Sequence, residues 1–146
     1  MSLPFSFMRA LLALLLAAAP AAAQPLALVQ LNAGMHLIRA EVAADFASRA
    51  QGLMHRTAMP SNAGMLFIFD EAGAQCMWMK NTLIPLSVAF IDEHGAVINI
   101  EDMAPQTEDS HCARRAALYA LEMNRGWFAA RGIKPGSRIG GIPGAK

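Results

Sequence analysis

The chain has 146 residues and carries 12 Lys plus Arg against 11 Asp plus Glu. So even a balance argues against nucleic acid or an anionic membrane surface as its main partner. The length suits a single core once the first 23 residues are set aside.

Those residues read as a secretory signal peptide. Arg9 makes a short basic start, and Ala10 to Ala19 is an unbroken Ala/Leu run too short to span a bilayer. Pro20 ends the run, and Ala21-Ala22-Ala23 offers small residues for cleavage before Gln24. An uncleaved anchor would need a longer run. The expectation is a mature chain from Gln24, periplasmic or secreted, with no membrane span after cleavage. The expected organisation is signal peptide 1–23, leader 24–36, a β domain over 37–140 and a tail over 141–146.

Met35 to Val42 reads as the first strand. Asp45 is placed to cap a short helix near 46–54, with Ala47, Ala50, Leu53 and Met54 at helical spacing. Pro60, Ser61 and Asn62 mark a loop, and Gly64 to Phe69 a second strand. Cys76 to Lys80 is a third. Leu86 to Asp92 and Ala96 to Ile100 form a hairpin whose Gly95 supplies a positive φ. Met103 to Arg115 reads as a polar loop. Ala117 to Met123 is another strand, Trp127 to Arg131 a helical turn stopped by Gly132, and Ser137 to Ile139 a last short strand. Short strands with one or two short helices predict a mainly β single domain, an antiparallel β-sandwich or barrel-like fold.

Four stretches resemble the DUF192 family: "SRAQGLMHR" (48–56), "GMLFIFD" (64–70), "MWMKNTLIPLSVAFID" (77–92) and "YALEMNRGWFAARGIKPGSRI" (119–139). The resemblance covers about Leu37 to Ile139 and is most specific at Trp78-Met79-Lys80-Asn81-Thr82 with Pro85-Leu86. It implies a compact, mostly β domain of small exported bacterial proteins. It carries no activity, cofactor or catalytic residue. Cys76 and Cys112 are not part of that pattern.

Chemistry must therefore come from the residues. Alternation puts Cys76, Trp78 and Lys80 on one strand face and Met77 and Met79 on the other. Lys80 then stands at a strand end, before turn formers Asn81 and Thr82. One reading is purely structural, with Lys80 stretched over Trp78 to solvent. The other is a pocket floored by Trp78, with Lys80 and Asn81 as donors to a small polar or anionic ligand. Glu122 falls on the face of Leu118 and Ala120, where a carboxylate needs a partner. Lys80, Arg56 or Arg49 is the expected one.

Three readings stay open for Cys76 and Cys112: a disulfide, which export permits, a buried and a loop thiol, or a catalytic Cys beside His111. The acidic stretch 92–109 and the basic stretch 114–146 read as solvated surfaces, with a cation site in the former as the sharper alternative. Met77-x-Met79 invites a Cu(I) reading, but core packing explains the methionines more simply, so no metal or cofactor is implied. No nucleophile-elbow, zincin, P-loop or dinucleotide motif is present. The leading expectation is a non-enzymatic ligand-binding or accessory domain of the cell envelope, with Trp78, Lys80, Asn81, Glu122 and Arg56 at its site. A small hydrolytic or group-transfer enzyme at the same place is the alternative. A third class is a protein-partner module using an apolar patch around Trp127 and Phe128.

Overall fold

A computed structural model describes residues 24–145, so the signal peptide read over 1–23 lies outside the described residues. The domain is mainly β with two short helices, as expected. Its strands are β1 (Leu28–Ala33), β2 (His36–Ala43), β3 (Ala63–Gly73), β4 (Cys76–Met77), β5 (Leu86–Ile91), β6 (Val97–Met103), β7 (His111–Cys112), β8 (Ala117–Asn124) and β9 (Ile139–Gly140). Helix α1 spans Phe46–Gln51 and α2 spans Trp127–Ala130.

Seven strands form one curled sheet in the order β6-β5-β8-β3-β2-β1-β9, and β4 pairs with β7 in a separate ribbon. The architecture is a half-barrel rather than two stacked sheets. All pairings are antiparallel except β2 with β3, which are parallel. A parallel neighbour needs a crossover, and residues 44–62, carrying α1, supply it. Asp45 starts that helix with a capping box. Its carboxylate accepts from the Ser48 N–H at 2.8 Å, and its own N–H donates to the Ser48 hydroxyl at 3.3 Å.

Both faces of the sheet are covered. One face draws on all seven strands, through Leu31, Ile38, Leu66, Ala89, Val97, Leu121 and Ile139 among others, and is plugged by Trp127 and Phe128 of α2. A core shared by every strand is the inside of the curl. The outer face, with Met65, Phe67, Leu86, Val88, Phe90 and Ala120, is covered by non-sheet pieces, notably Leu53, Met79, Ile84 and Ala113.

Two departures from the sequence reading stand out. Residues 28–33, read as leader, form β1, hydrogen-bonded to β2 on one side and β9 on the other. Val29, Leu31 and Ala33 are its inward residues, the last two fully buried, while Leu28 on the other face is exposed, which weakens the apolar alternation. The patch expected at Trp127 and Phe128 does not exist. They are 4% and 1% exposed, because α2 drives both rings into the open end of the barrel.

Candidate functional site

The stretch around Lys80 is a strap lying over the outer face. Its first part, β4, is bridged to β7 by a Cys76–Cys112 disulfide, with the two residues directly opposite in register. Asn99 of β6 anchors the β7 side. Its Nδ2 donates to the Cys112 carbonyl at 3.1 Å, and its Oδ1 accepts from the Arg114 N–H at 3.0 Å. Beyond β4 the strap turns at Asn81, which sits at φ 53°, a conformation Asn tolerates better than most residues. The Asn81 carbonyl accepts from the His55 N–H at 2.9 Å, and the Thr82 hydroxyl donates to the Lys80 carbonyl at 3.2 Å. Met79 and Gln106 complete the lacing, donating to the Thr107 and Thr82 carbonyls.

Between this strap and α1 lies a slot. Its outer part, about 230 Å³, is walled by Phe46, Phe67, Phe69 and Trp78 together with Arg49 and Met77. Phe46 is 82% exposed and Trp78 48%, forming two aromatic lips. Its inner part, about 30 Å³, shares Arg49, Ala50, Phe67, Met77 and Trp78 with the outer part and ends at Thr82 and Glu122.

Glu122 is the unusual group. It occupies the middle of β8, opposite Met65 of β3 and Val88 of β5, and is 4% exposed. Period-two alternation sends it outward with Ala120, beneath the strap. Its carboxyl makes no hydrogen bond or ion pair among the described residues. No sealed side-chain oxygen or nitrogen lacks a partner there, so the Glu122 oxygens open into the inner slot. Burial pushes its pKa up to about 8, with no neighbouring charge acting on it. Near neutral pH this group is a carboxylic acid, both donor and acceptor.

The expected ion pair with Glu122 is not formed, because each cation is engaged elsewhere. Arg49 donates to the Ala44 and Ile68 carbonyls and pairs with Asp70 at 3.0 Å. Arg56 is bidentate on Glu41. Lys80 lies 5.2 Å from the Trp78 ring centroid and 4.0 Å from Glu108. Of the residues singled out from sequence, the fold thus brings Trp78 and Glu122 together in the slot and Lys80 to its rim. Asn81 serves the turn, and Arg56 lines separate hollows with Glu41.

Phe46, Phe67 and Phe69 carried no expectation of a site from the sequence, and Met77, read as a core methionine with Met79, instead lines the slot. Only Phe46 left a signal, a large apolar residue directly after a helix cap. Larger hollows of about 510 and 520 Å³ flank Pro25 and Leu26, where the described chain begins. Between them stands the Arg56–Glu41 pair, already satisfied, so size alone does not make them a site. Among the described residues no cluster of three or more His, Cys, Asp or Glu is arranged to hold a metal ion. No described helix is long and apolar enough to cross a membrane.

The DUF192 family model, described as Uncharacterized ACR, matches residues 28–141. The chain belongs to that family. Two solved structures are similar. One is a candidate transcription regulator from Sinorhizobium meliloti 1021, 36% identical, covering 82% of this chain and 98% of that one, with a TM-score of 0.76. The other is a protein of unknown function from Novosphingobium aromaticivorans DSM 12444, 34% identical, covering 84% and 90%, also with a TM-score of 0.76. No curated protein matches the chain.

Proposed function

We propose that this DUF192 domain is an exported, non-enzymatic binding domain of the cell envelope that takes the end of a small polar ligand into the slot beneath Trp78. The observation that carries this reading is the unpartnered Glu122 carboxyl at the foot of an aromatic-walled slot. A buried polar group without a partner costs about 1–3 kcal/mol. A ligand group that hydrogen-bonds it recovers that cost, as does a water molecule, and the opening of its oxygens into the slot gives access to either. Sites for small ligands generally join apolar walls with a few convergent polar groups. Export rests on the segment 1–23.

An anionic ligand has less support, because Arg49, Arg56 and Lys80 are already paired. A hydrolytic or group-transfer role draws support from the raised pKa of Glu122, which suits a general acid. The inner slot, however, is lined by no Ser, Cys, His or second carboxyl to act with it. The regulator role named for the Sinorhizobium protein has less support, since the two described helices, of six and four residues, are too short for helix-turn-helix recognition.

The test has two arms. Expressing the full sequence in a Gram-negative host should yield periplasmic protein beginning at Gln24; uncleaved cytoplasmic protein would overturn export. Ligand-observed NMR of that mature protein against small polar fragments should find binders lost in a Glu122→Leu, Trp78→Ala double variant. Binding indifferent to both substitutions would sink the slot.

A further inference from the structure

We propose that the ligand end received by the slot is a primary ammonium, so that the ligands are organic amines with an apolar or aromatic tail. This rests on the binding reading above and adds the chemical class.

Size makes the first selection. About 30 Å³ at the foot of the slot is room for one water-sized group. A phosphate, a quaternary ammonium or a sugar ring is too large to reach Glu122, and a carboxylate would set a second acid against it. A hydroxyl or an –NH₃⁺ fits.

The choice between those two follows from charge. Thr82 already donates its hydroxyl to the Lys80 carbonyl, which leaves Glu122 as the main polar partner for an incoming group. Of the charged side chains on the elements packed around it, only Arg49 of α1 borders the cavity. Its guanidinium is held by Asp70 and two backbone carbonyls. β3 and β5 add no titratable wall group, and Lys80 points outward onto Trp78. The one cation at the cavity wall is therefore already paired, and it leaves the carboxylate to an incoming group. The outer slot then surrounds the ligand with Phe46, Phe67, Phe69 and Trp78, and aromatic faces attract cations. A hydroxyl gains nothing comparable from those rings.

Charge balance gives the binding event a signature. When –NH₃⁺ enters, the Glu122 acid releases its proton to the buffer and the resulting carboxylate pairs with the ammonium. One proton is released per amine bound below the pKa of Glu122. Affinity then rises about tenfold per pH unit up to that pKa.

The experiment is calorimetric titration of the mature protein with n-butylamine, cadaverine and phenethylamine. 1-Butanol and 2-phenylethanol serve as neutral isosteres. Each is run at pH 6.5 in phosphate and in imidazole buffer, to count protons. The expected result is binding of at least one amine ten or more times tighter than its alcohol, with one proton released. Glu122→Gln should abolish the proton release and the pH dependence. Trp78→Ala should weaken the amine and leave the proton count at one. Alcohols binding as well as amines without proton release would overturn the amine assignment and leave the slot as a binding site. Proton release that survives Glu122→Gln would overturn it too. Binding of neither series, with fragments also failing, would remove both readings.

Discussion

Strand β8 serves two faces that are built differently. Toward the inside of the curl it presents Tyr119, Leu121 and Met123 to a core that all seven strands share. Toward the outside it presents Ala120 and Glu122 to a cover made of a turn after α1, a strap and a short ribbon. The inner face is closed by the sheet's own curvature and by one helical plug. The outer face is closed piecemeal, by segments that the disulfide and single hydrogen bonds hold in place. A continuous surface leaves no room for a lone carboxyl, whereas a patched one leaves a seam. The seam is where the polar group sits.

Substitutions can test this contrast. Leu121→Ala should have the largest effect, costing about 2–5 kcal/mol in urea unfolding, because a fully buried leucine in a continuous core leaves a cavity. Next is the double change Cys76→Ser, Cys112→Ser. The bridge closes a separation of 36 residues, so its loss should cost up to roughly 4 kcal/mol on chain-entropy grounds. If the bridge secures only the outer cover, hydrogen exchange should quicken in residues 76–85 and 104–113 while β1 and β9 stay protected. Uniform quickening would break the two-face contrast.

Glu122 is read differently, as a dependence on pH rather than a loss on substitution. Its pKa is raised by burial from 4.5 to about 8, so the folded state holds a proton that the unfolded state loses first. Below 4.5 both states are protonated and there is no penalty. As pH rises from 4.5 to about 8, stability should fall by about 1.4 kcal/mol per unit from this group, and level off above. Glu122→Gln should remove that slope, read as the melting temperature between pH 5 and 8. A wild-type profile matching the variant's would mean that the carboxyl is not buried as described. Lys80→Ala should matter least. The side chain is half exposed and its contacts with Trp78 and Glu108 are screened, so the change should stay below about 1 kcal/mol.

How much of this was legible beforehand follows from what is local. Alternation in "ALYALEM" was enough to turn Glu122 to one face, and Asp45 ahead of apolar residues at helical spacing was enough to cap α1. The partners of Glu122 were not legible, since loops decide which cation goes where. Arg49 is captured by Asp70 at the far end of β3, and Arg56 by Glu41 on β2. β1 was hidden because Leu28, an apolar residue, stands on its exposed face and blurs the alternation of Val29, Leu31 and Ala33. Its place depends on β9, more than a hundred residues away. Trp127 and Phe128 follow a glycine and look like a surface turn until the barrel mouth they fill is known.

The last short strand has a consequence for when the protein becomes safe from its neighbours. β9 pairs with β1, and Arg138 just before it bridges to Ala96, at the start of β6. The Val97 N–H donates to the Ser137 carbonyl, and the Ile139 N–H to the Gly95 carbonyl. Those few bonds join the two margins of the sheet at one end. Until residues 136–140 arrive, both margins are bare and able to pair with another chain. A nascent copy cut short before this point is therefore a sticky intermediate. Docking of this last segment, rather than formation of the central strands, is what reduces its vulnerability to aggregation.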